Sequence, residues 1–299
     1  GLFAVQRKLK VAIDVGHGAA APEIALLIER ISHVEFFPIA CNADGRFPMR
    51  SPNPLDDGAL NQLRQVVLEE GCDFGVAFDG DADRSIFVDE SGNMVETDLM
   101  IGLVGGSLIE RNGGGTVVYD LRSSRAIPEF IESCGGKAIR TGVGTMFIKT
   151  NMQEHSAVFA GELSGHYYYG DMFDTDNALR TMIEVINLVA RAEKPLSKLL
   201  EPLSKYSTSG EINLRVNAIE DVLRHLDEAI TDGAKEHIDG LSVNYPQWWF
   251  AVRGSQTEPV LRLTVGAVNK QILEEQTRHL IGVINEVQTG SQSASLSRN

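Results

Sequence analysis

Residues 74–88 read FGVAFDGDADRSIFV, two short apolar runs separated by a loop that carries three aspartates and an arginine. The run Phe74–Phe78 has the continuous apolar character of a strand buried on both faces, and residues 85–88 form a second such strand. Buried strands of this kind belong to sheets that helices cover. The stretch therefore predicts an α/β unit whose acidic loop follows a buried strand.

Short β-branched runs alternate with longer stretches of helical period on both sides of this loop, which favours crossover units and largely parallel sheets. Strands are predicted over residues 10–15, 74–78, 85–88, 116–119, 137–140 and 158–160, and helices over 21–31, 57–70, 125–133, 146–154 and 176–192. The predicted fold class is α/β: two related α/β domains with mixed, largely parallel sheets, followed by a smaller α+β C-terminal domain.

The last domain is assigned to the α+β class because a strand and a helix precede several consecutive strands and a last helix. The predicted division is a linker remnant at 1–8, α/β domains at 9–112 and 113–196, a hinge at 197–209, the α+β domain at 210–288 and a disordered tail at 289–299. The tail is nearly all Ser, Gln, Gly and Asn, which is typical of disorder.

Composition and charge exclude several classes of function. The 299 residues are 43% hydrophobic and carry 41 acidic against 27 basic side chains, a net charge of −14. Such a field repels nucleic acid and anionic membranes, so neither is an expected partner. A small anionic substrate would need a local basic pocket.

Cysteine usage and hydropathy indicate a cytoplasmic protein. Cys41, Cys72 and Cys134 are odd in number and far apart, which fits neither a disulfide framework nor a CxxC metal site. No apolar run approaches the roughly 18 residues that a membrane span needs, and no signal peptide is recognisable.

Asp79, Asp81 and Asp83 alternate in the acidic loop, so their carboxylates can converge on one hard cation, Mg²⁺ or Ca²⁺ rather than zinc. The spacing to Glu90 nearly matches an EF-hand, but position six is Arg84 instead of glycine and both flanks are predicted strands. A solvated acidic turn is the plain structural alternative. The loop also suits phosphate transfer, because a cation can neutralise charge on the phosphate and the Arg84 guanidinium can bind it through two parallel hydrogen bonds.

Two further loops carry polar side chains after predicted strands. Residues 161–166 (GELSGH) present Glu162 and Ser164, which suit sugar hydroxyls, and His166, which suits proton transfer because the imidazole of histidine has an unperturbed pKa near neutrality. Residues 253–259 (RGSQTEP), with Arg262 beyond, combine guanidinium groups, hydroxyls and exposed amides, which suit a phosphate dianion. Taken singly, a lone histidine is more often structural, and the second loop also fits an ordinary polar hairpin.

Together the three loops resemble the metal, sugar and phosphate loops of the α-D-phosphohexomutases, of the phosphomannomutase/phosphoglucomutase type, in the same order. The resemblance extends from about Leu9 to Glu286 and includes the segments DVGHG at 14–18 and GVG at 142–144. Members of this family have four domains around a central cleft, and this sequence resembles the second, third and fourth.

The resemblance implies a role for each loop residue. Asp79, Asp81 and Asp83 hold Mg²⁺; Glu162 and Ser164 bind sugar hydroxyls; His166, Arg84 and Arg122 are catalytic candidates. The non-reacting phosphate is bound by Arg253, Ser255, Gln256 and Thr257. The substrate would be a mannose or glucose 1- or 6-phosphate, interconverted through a phosphoserine enzyme and a bisphosphate intermediate.

Two departures from the family pattern bear on activity. Thr145 follows Val143 and Gly144, where the family commonly has an active-site histidine, and threonine cannot carry a proton at neutral pH. The sequence also contains no segment like Thr-Ala-Ser-His-Asn-Pro, whose serine carries the phosphoryl group. Ser51 matches a different family segment and is not the donor.

Three hypotheses remain from the sequence alone. The first is a partial phosphohexomutase, inactive by itself because the serine-bearing N-terminal domain is missing. The second is a naturally truncated, non-catalytic protein that binds sugar phosphates, with Thr145 in its favour. The third is a hydrolase that uses the acidic loop to activate water.

Overall fold

The computed structural model describes residues 8–255 and 258–296, and for 288–296 the backbone only. It has two compact units: residues 8–140 with Gly144–Leu203, and Thr141–Val143 with residues 204–296. In the part of the chain that is described, no helix has the length and apolar character needed to cross a bilayer.

The first sheet carries the acidic loop. Its order is β2-β1-β3-β4, with β1 parallel to both β2 and β3, and β4 antiparallel to β3. Helix α2 packs Leu63 and Val67 against this sheet, where they join the buried cluster around Ala77 and Ile86. The elements are β1 (Leu9–Asp14), α1 (Ala21–Arg30), β2 (Val34–Ile39), α2 (Asn61–Glu70), β3 (Phe74–Phe78) and β4 (Ser85–Asp89).

The second sheet has the order β6-β5-β7-β8-β9, with β5 parallel to β7, and β8 and β9 added in antiparallel pairing. A 3-10 turn at Gly170–Met172 separates β8 from β9. The elements are α3 (Thr97–Asn112), β5 (Thr116–Asp120), α4 (Ala126–Ser133), β6 (Lys137–Thr141), α5 (Thr145–His155), β7 (Phe159–Gly161), β8 (Tyr167–Tyr169), β9 (Thr175–Asp176), α6 (Ala178–Ala192) and α7 (Leu196–Leu200).

The second compact unit is a five-stranded antiparallel sheet in the order β10-β14-β13-β12-β11. Helices α8 and α9 pack on it, and the buried core includes Val222, Leu226, Phe250 and Leu263. The elements are β10 (Ser207–Arg215), α8 (Ile219–Ala229), β11 (Ala234–Glu236), β12 (Leu241–Asn244), β13 (Trp248–Gly254), β14 (Val260–Ala267) and α9 (Lys270–Leu296).

The predicted fold class is confirmed by these three sheets, but two predicted boundaries differ from the structure. Residues 97–112 were assigned to the first domain, yet they form α3, which packs against α4, β7 and α6. The packing is close: a Cβ at Gly106 of α3 would lie 2.6 Å from a ring carbon of Phe130 in α4. The absence of a side chain at Gly106 lets the two helices approach this closely.

The predicted tail is the other difference, whereas the predicted hinge contains the division between the two compact units, which falls after Leu203. Residues 197–209 include most of α7 and the start of β10, and Leu200 and Leu203 are buried. Helix α9 continues to Leu296, so residues 289–296 are helical rather than disordered. No proline interrupts that stretch, and each added residue extends the hydrogen-bonded ladder. Residues 1–7 and 297–299, part of the predicted linker remnant and tail, lie outside the described residues.

Candidate active site

The acidic loop between β3 and β4 gathers three carboxylates. One oxygen each of Asp79, Asp81 and Asp83 lies within 4.8 Å of the others, with Asp79 buried, Asp83 half-buried and Asp81 exposed. Ala82, between the last two, has a left-handed backbone with φ of 69°, which turns the chain sharply. The spacing predicted from the sequence therefore brings the three side chains together.

These residues fit a hard cation. The Oδ1 atom of Asp83 is buried and has no hydrogen-bond partner among the described residues. His166 Nε2 and Arg84 Nε lie 3.4 and 3.8 Å from this oxygen without making a hydrogen bond to it. A buried carboxylate oxygen that lacks a hydrogen bond is costly, and a cation is a suitable ligand for it. All-oxygen ligands at this separation suit Mg²⁺ or Ca²⁺.

Arg84 is held by the loop that it ends. Its backbone N–H donates to Asp79 Oδ1 at 3.0 Å and its Nε donates to Asp79 Oδ2 at 2.7 Å. Its Nη1 reaches Asn53 Oδ1 at 3.4 Å, and the side chain is 25% exposed. The guanidinium thus fixes the buried carboxylate while part of it stays accessible.

A buried ion pair lies beneath the acidic loop. Arg50 Nε donates to Asp14 Oδ2 at 2.7 Å, and Arg50 Nη2 donates to the carbonyl of Phe78 at 2.6 Å. Burial raises the pKa of Asp14, and the Arg50 charge acts against this rise. Because Phe78 directly precedes Asp79, this pair anchors the point where β3 turns into the loop.

The GELSGH loop joins β7 to β8 and contacts the acidic loop directly. Arg84 and His166 form an antiparallel bridge, and Ser85 N donates to the carbonyl of Gly165 at 3.1 Å. His166 Nε2 lies 3.4 Å from Asp83 Oδ1, and His166 Nδ1 shares a 2.8 Å hydrogen bond with the Ser164 hydroxyl. Residues predicted as separate metal and sugar sites are therefore neighbours.

Glu162 is buried, and each of its carboxylate oxygens accepts a hydrogen bond. Gly144 N donates to Oε1 at 2.9 Å, and the Tyr168 hydroxyl donates to Oε2 at 2.9 Å. His166 Nδ1 lies 3.7 Å from Oε2. The sequence singled out Glu162 but missed Tyr168, which stands in a run of three tyrosines that carries no chemical signature of its own.

Arg122 is buried beside the same loop and is paired with Asp120. Its Nε and Nη2 donate to Asp120 Oδ2 at 3.1 and 2.6 Å, and the same oxygen accepts from Leu163 N at 2.9 Å. Asp120 therefore ties Arg122 to the sugar loop. This places Arg122 next to the predicted site, with its charge balanced by a carboxylate.

A second group, Asp83, His166 and Asp176, also brings one ligand atom of each residue within 4.8 Å of the others. Asp176 lies in β9 and was not among the site residues predicted from the sequence. It adds a further carboxylate to the edge where the acidic and sugar loops meet.

The predicted phosphate loop lies in the second compact unit, between β13 and β14. Arg253 is buried, with Nη2 3.5 Å from Glu211 Oε2, and Arg262 Nη1 lies 3.5 Å from Glu211 Oε1. Ser255 N donates to the carbonyl of Val260 at 2.9 Å, which closes the turn. Gln256 and Thr257 lie outside the described residues, so their part in this loop stays a prediction.

Two sequence profiles of one family match this chain. Residues 4–92 match phosphoglucomutase/phosphomannomutase, alpha/beta/alpha domain II, and residues 96–206 match alpha/beta/alpha domain III. The boundary between the two matches agrees with the packing of α3 on the second sheet.

Full-length relatives agree with the profiles. A phosphomannomutase of Methanocaldococcus jannaschii is 35% identical over 92% of this chain and 61% of its own length, and a phosphomannomutase of Escherichia coli K12 is 34% identical over 93% and 63%. The chain thus spans about three fifths of the relatives that it matches.

Solved structures show the same likeness. A phosphoglucomutase/phosphomannomutase family protein from Burkholderia thailandensis superposes with a TM-score of 0.85 at 27% identity, over 94% of this chain and 62% of that one. An N-acetylphosphoglucosamine mutase of Aspergillus fumigatus shares the fold, with a TM-score of 0.72 at 13% identity over 96% and 63% of the two chains. Matched in sequence by two consecutive domain profiles and in fold by solved members, the chain belongs to the phosphoglucomutase/phosphomannomutase family.

Proposed function

We propose that this chain is the larger part of a phosphohexomutase that interconverts hexose 1-phosphates and 6-phosphates, with mannose and glucose phosphates as the substrate class. The reaction passes through a phosphoserine enzyme and a bisphosphate intermediate. The serine belongs to a family domain that this sequence does not contain, so the chain alone has negligible turnover. The relatives named phosphomannomutase support the substrate class.

The observation that carries the proposal is the junction of the acidic and GELSGH loops. His166 Nε2 and Asp83 Oδ1 are 3.4 Å apart, and backbone bonds hold the two loops in register. A phosphoryl group held at the carboxylates by a bound cation would therefore lie beside groups suited to a sugar. This juxtaposition is what transfer between a phosphoryl donor and a sugar hydroxyl requires.

Asp79, Asp81 and Asp83 are the proposed Mg²⁺ ligands. When bound, Mg²⁺ supplies positive charge that neutralises the charge developing on a transferring phosphoryl group. Arg84 adds a guanidinium to the same place, and its bonds to Asp79 keep both residues in a fixed orientation. Arg122, held by Asp120, contributes a second buried cation near the sugar loop.

His166 is the proposed general acid/base, because its Nε2 side faces Asp83 while Nδ1 is held by Ser164. A histidine fixed on one nitrogen is free to exchange a proton on the other. Glu162 and Ser164 are the proposed sugar ligands. Arg253, Ser255, Gln256 and Thr257 are the proposed ligands of the non-reacting phosphate.

We propose that the protein acts in the cytoplasm. Its three cysteines are free, and burial raises the pKa of Cys72 to about 11, which keeps that thiol protonated and unreactive. Free thiols suit a reducing compartment.

The test is an isomerase assay with and without a serine-bearing first domain of the family. The purified chain with Mg²⁺ is expected to give no interconversion of mannose 1- and 6-phosphate. The same chain with a serine-bearing first domain of the family fused to its N-terminus is expected to be active. Normal turnover by the chain alone would contradict the proposal.

The other two functions give different results in the same assay. A hydrolase releases inorganic phosphate from hexose phosphates without isomerising them. A non-catalytic sugar-phosphate-binding protein binds the ligand and stays inactive even in the fusion. Either result would replace the mutase assignment.

A further inference from the structure

The Glu162 carboxylate is positioned by a connected set of donors that begins at helix α5. Gly144 precedes this helix with a φ of 113°, a backbone conformation that requires glycine, and its N–H donates to Glu162 Oε1. The Tyr168 hydroxyl donates to Glu162 Oε2 and lies 3.2 Å from Thr145 Oγ1. Thr145 is the first residue of α5.

The direction of these hydrogen bonds follows from chemistry. Burial, with the Glu162 charge, raises the pKa of Tyr168, so the phenol keeps its proton and donates a hydrogen bond to the carboxylate. A hydroxyl has one proton to donate. The bond to Thr145 must then run the other way, from the Thr145 hydroxyl to the Tyr168 oxygen.

Counting lone pairs shows what remains for a ligand. An ionised carboxylate offers about four acceptor sites, two on each oxygen. Gly144 N occupies one site on Oε1 and Tyr168 occupies one on Oε2, so each oxygen keeps one site. A carboxylate fixed in this way presents two adjacent acceptors, which match two neighbouring sugar hydroxyls.

We propose that Tyr168 and Thr145 are positioning residues, which hold the Glu162 carboxylate in the orientation that binds a pair of sugar hydroxyls. The inference rests on the proposed function, since it takes Glu162 as a sugar ligand. Thr145 stands where the family resemblance leads one to expect a histidine. Its contribution here is a neutral hydroxyl that orients Tyr168, and no proton transfer is asked of it.

The packing of Tyr168 allows a clean variant. Its ring is buried between the sheet and α5, among Val118, Ile148, Met152 and Ala160. Tyr168→Phe keeps this ring and removes only the hydroxyl. Tyr169→Phe is the matched control, because Tyr169 is equally buried in the same strand but bonds Thr181 Oγ1 instead of Glu162.

The experiment is calorimetric titration of the full chain, in Mg²⁺, with glucose 1-phosphate, its 2-, 3- and 4-deoxy analogues, and inorganic phosphate. Tyr168→Phe is expected to lower the affinity for glucose 1-phosphate about tenfold, the order of one hydrogen bond to a charged group. Its affinity for inorganic phosphate should change by less than about twofold, and the deoxy analogues that bind it as well as glucose 1-phosphate does should be the same ones as for Glu162→Gln. Thr145→Val should lower the affinity for glucose 1-phosphate about threefold, and Thr145→Ser should restore it.

The outcomes separate this inference from the function on which it rests. If the wild-type chain binds glucose 1-phosphate and Glu162→Gln weakens it, but Tyr168→Phe behaves like Tyr169→Phe, the inference is wrong and the function stands. A Tyr168→Phe variant that weakens every ligand equally has lost structure rather than orientation, which also overturns the inference. If neither the wild type nor any variant distinguishes glucose 1-phosphate from phosphate, the sugar-binding function fails and the inference with it.

Discussion

Two carboxylates of the candidate site, Glu162 and Asp83, are in opposite states. Glu162 is buried with a protein donor on each oxygen. Asp83 has a buried Oδ1 with no hydrogen-bond partner in the described part of the chain, beside Asp79 and Asp81. Both lie in loops that follow a buried strand, and the loops contact each other.

The difference separates two ways of building a site. The protein itself supplies donors to Glu162, the proposed sugar ligand, so the orientation of this carboxylate is set without a ligand. The acidic loop brings like charges together, and under the proposed function a cation would relieve their repulsion. The comparison therefore predicts that the two loops respond differently to removal of a carboxylate and to added metal.

Removal of each carboxylate gives the largest expected contrast. Glu162→Ala leaves Gly144 N and the Tyr168 hydroxyl without their acceptor, which should lower the free energy of unfolding by about 3 kcal/mol. Asp83→Ala, in metal-free buffer, should change it by less than about 0.5 kcal/mol, because it removes an unsatisfied oxygen and some repulsion. Urea denaturation with a chelator measures both.

Equal losses in the two variants would contradict the comparison. Because the two residues lie in contacting loops, a general weakness of this region would lower both values together. Glu132→Gln, on the exposed face of α4, is the surface control and should leave the unfolding curve unchanged.

Added Mg²⁺ gives the next effect. At about one hundred times its dissociation constant, the ion should raise the unfolding free energy of the wild type by about 2.7 kcal/mol. Glu162→Ala should gain nearly as much as the wild type, and Asp83→Asn should gain almost nothing. Thermal denaturation at several Mg²⁺ concentrations measures the gain, and a full gain in Asp83→Asn would place the metal elsewhere.

The strands and loops of the site were readable from the sequence because their signals are local. Phe74–Phe78 is a strand with the bounds predicted for it, since a continuous apolar run between polar segments has few other solutions. The three aspartates converge as their spacing predicts. The catalytic and ligand roles of the site residues themselves stay predictions.

The features that could not be predicted from the sequence depend on contacts between positions far apart in the chain. Strand β2 was missed because it contains Pro38 and Glu35 and only its two end residues are buried. Helix α3 was not predicted, and its packing on α4 involves a close approach at Gly106 that has no local sequence signal. The link from Thr145 through Tyr168 to Glu162 joins three segments of the chain. The sequence gave a signal for Glu162 and for Thr145, the latter as a departure from the family pattern, but none for the Tyr168 that connects them.

Asp98 is another buried carboxylate, and its substitution gives the smallest expected change in the free energy of unfolding. It is buried, and Ser124 N donates to its Oδ2 at 2.9 Å. Burial raises the pKa of Asp98 to about 6, so the folded state prefers the protonated form. Stability from this group is complete below the unfolded pKa near 4 and is lost as the pH rises through about 6.

Asp98→Asn should therefore remove this pH dependence. Between pH 5 and pH 7 the wild type should lose about 1 kcal/mol of unfolding free energy relative to the variant, while the other carboxylates cancel in the difference. Urea denaturation at both pH values measures it. A constant difference between the two proteins would mean that Asp98 is already ionised at pH 5.

A crystal structure of the chain with Mn²⁺, located by its anomalous scattering, tests the difference between the two loops most directly. Mn²⁺ accepts the same oxygen ligands as Mg²⁺ and is visible in the anomalous map. One peak is expected within ligand distance of Asp79, Asp81 and Asp83, with Glu162 still bonded to Gly144 and Tyr168. A peak elsewhere, or a Glu162 carboxylate that leaves Tyr168 when the metal binds, would contradict a pre-formed sugar loop beside a metal-completed acidic loop.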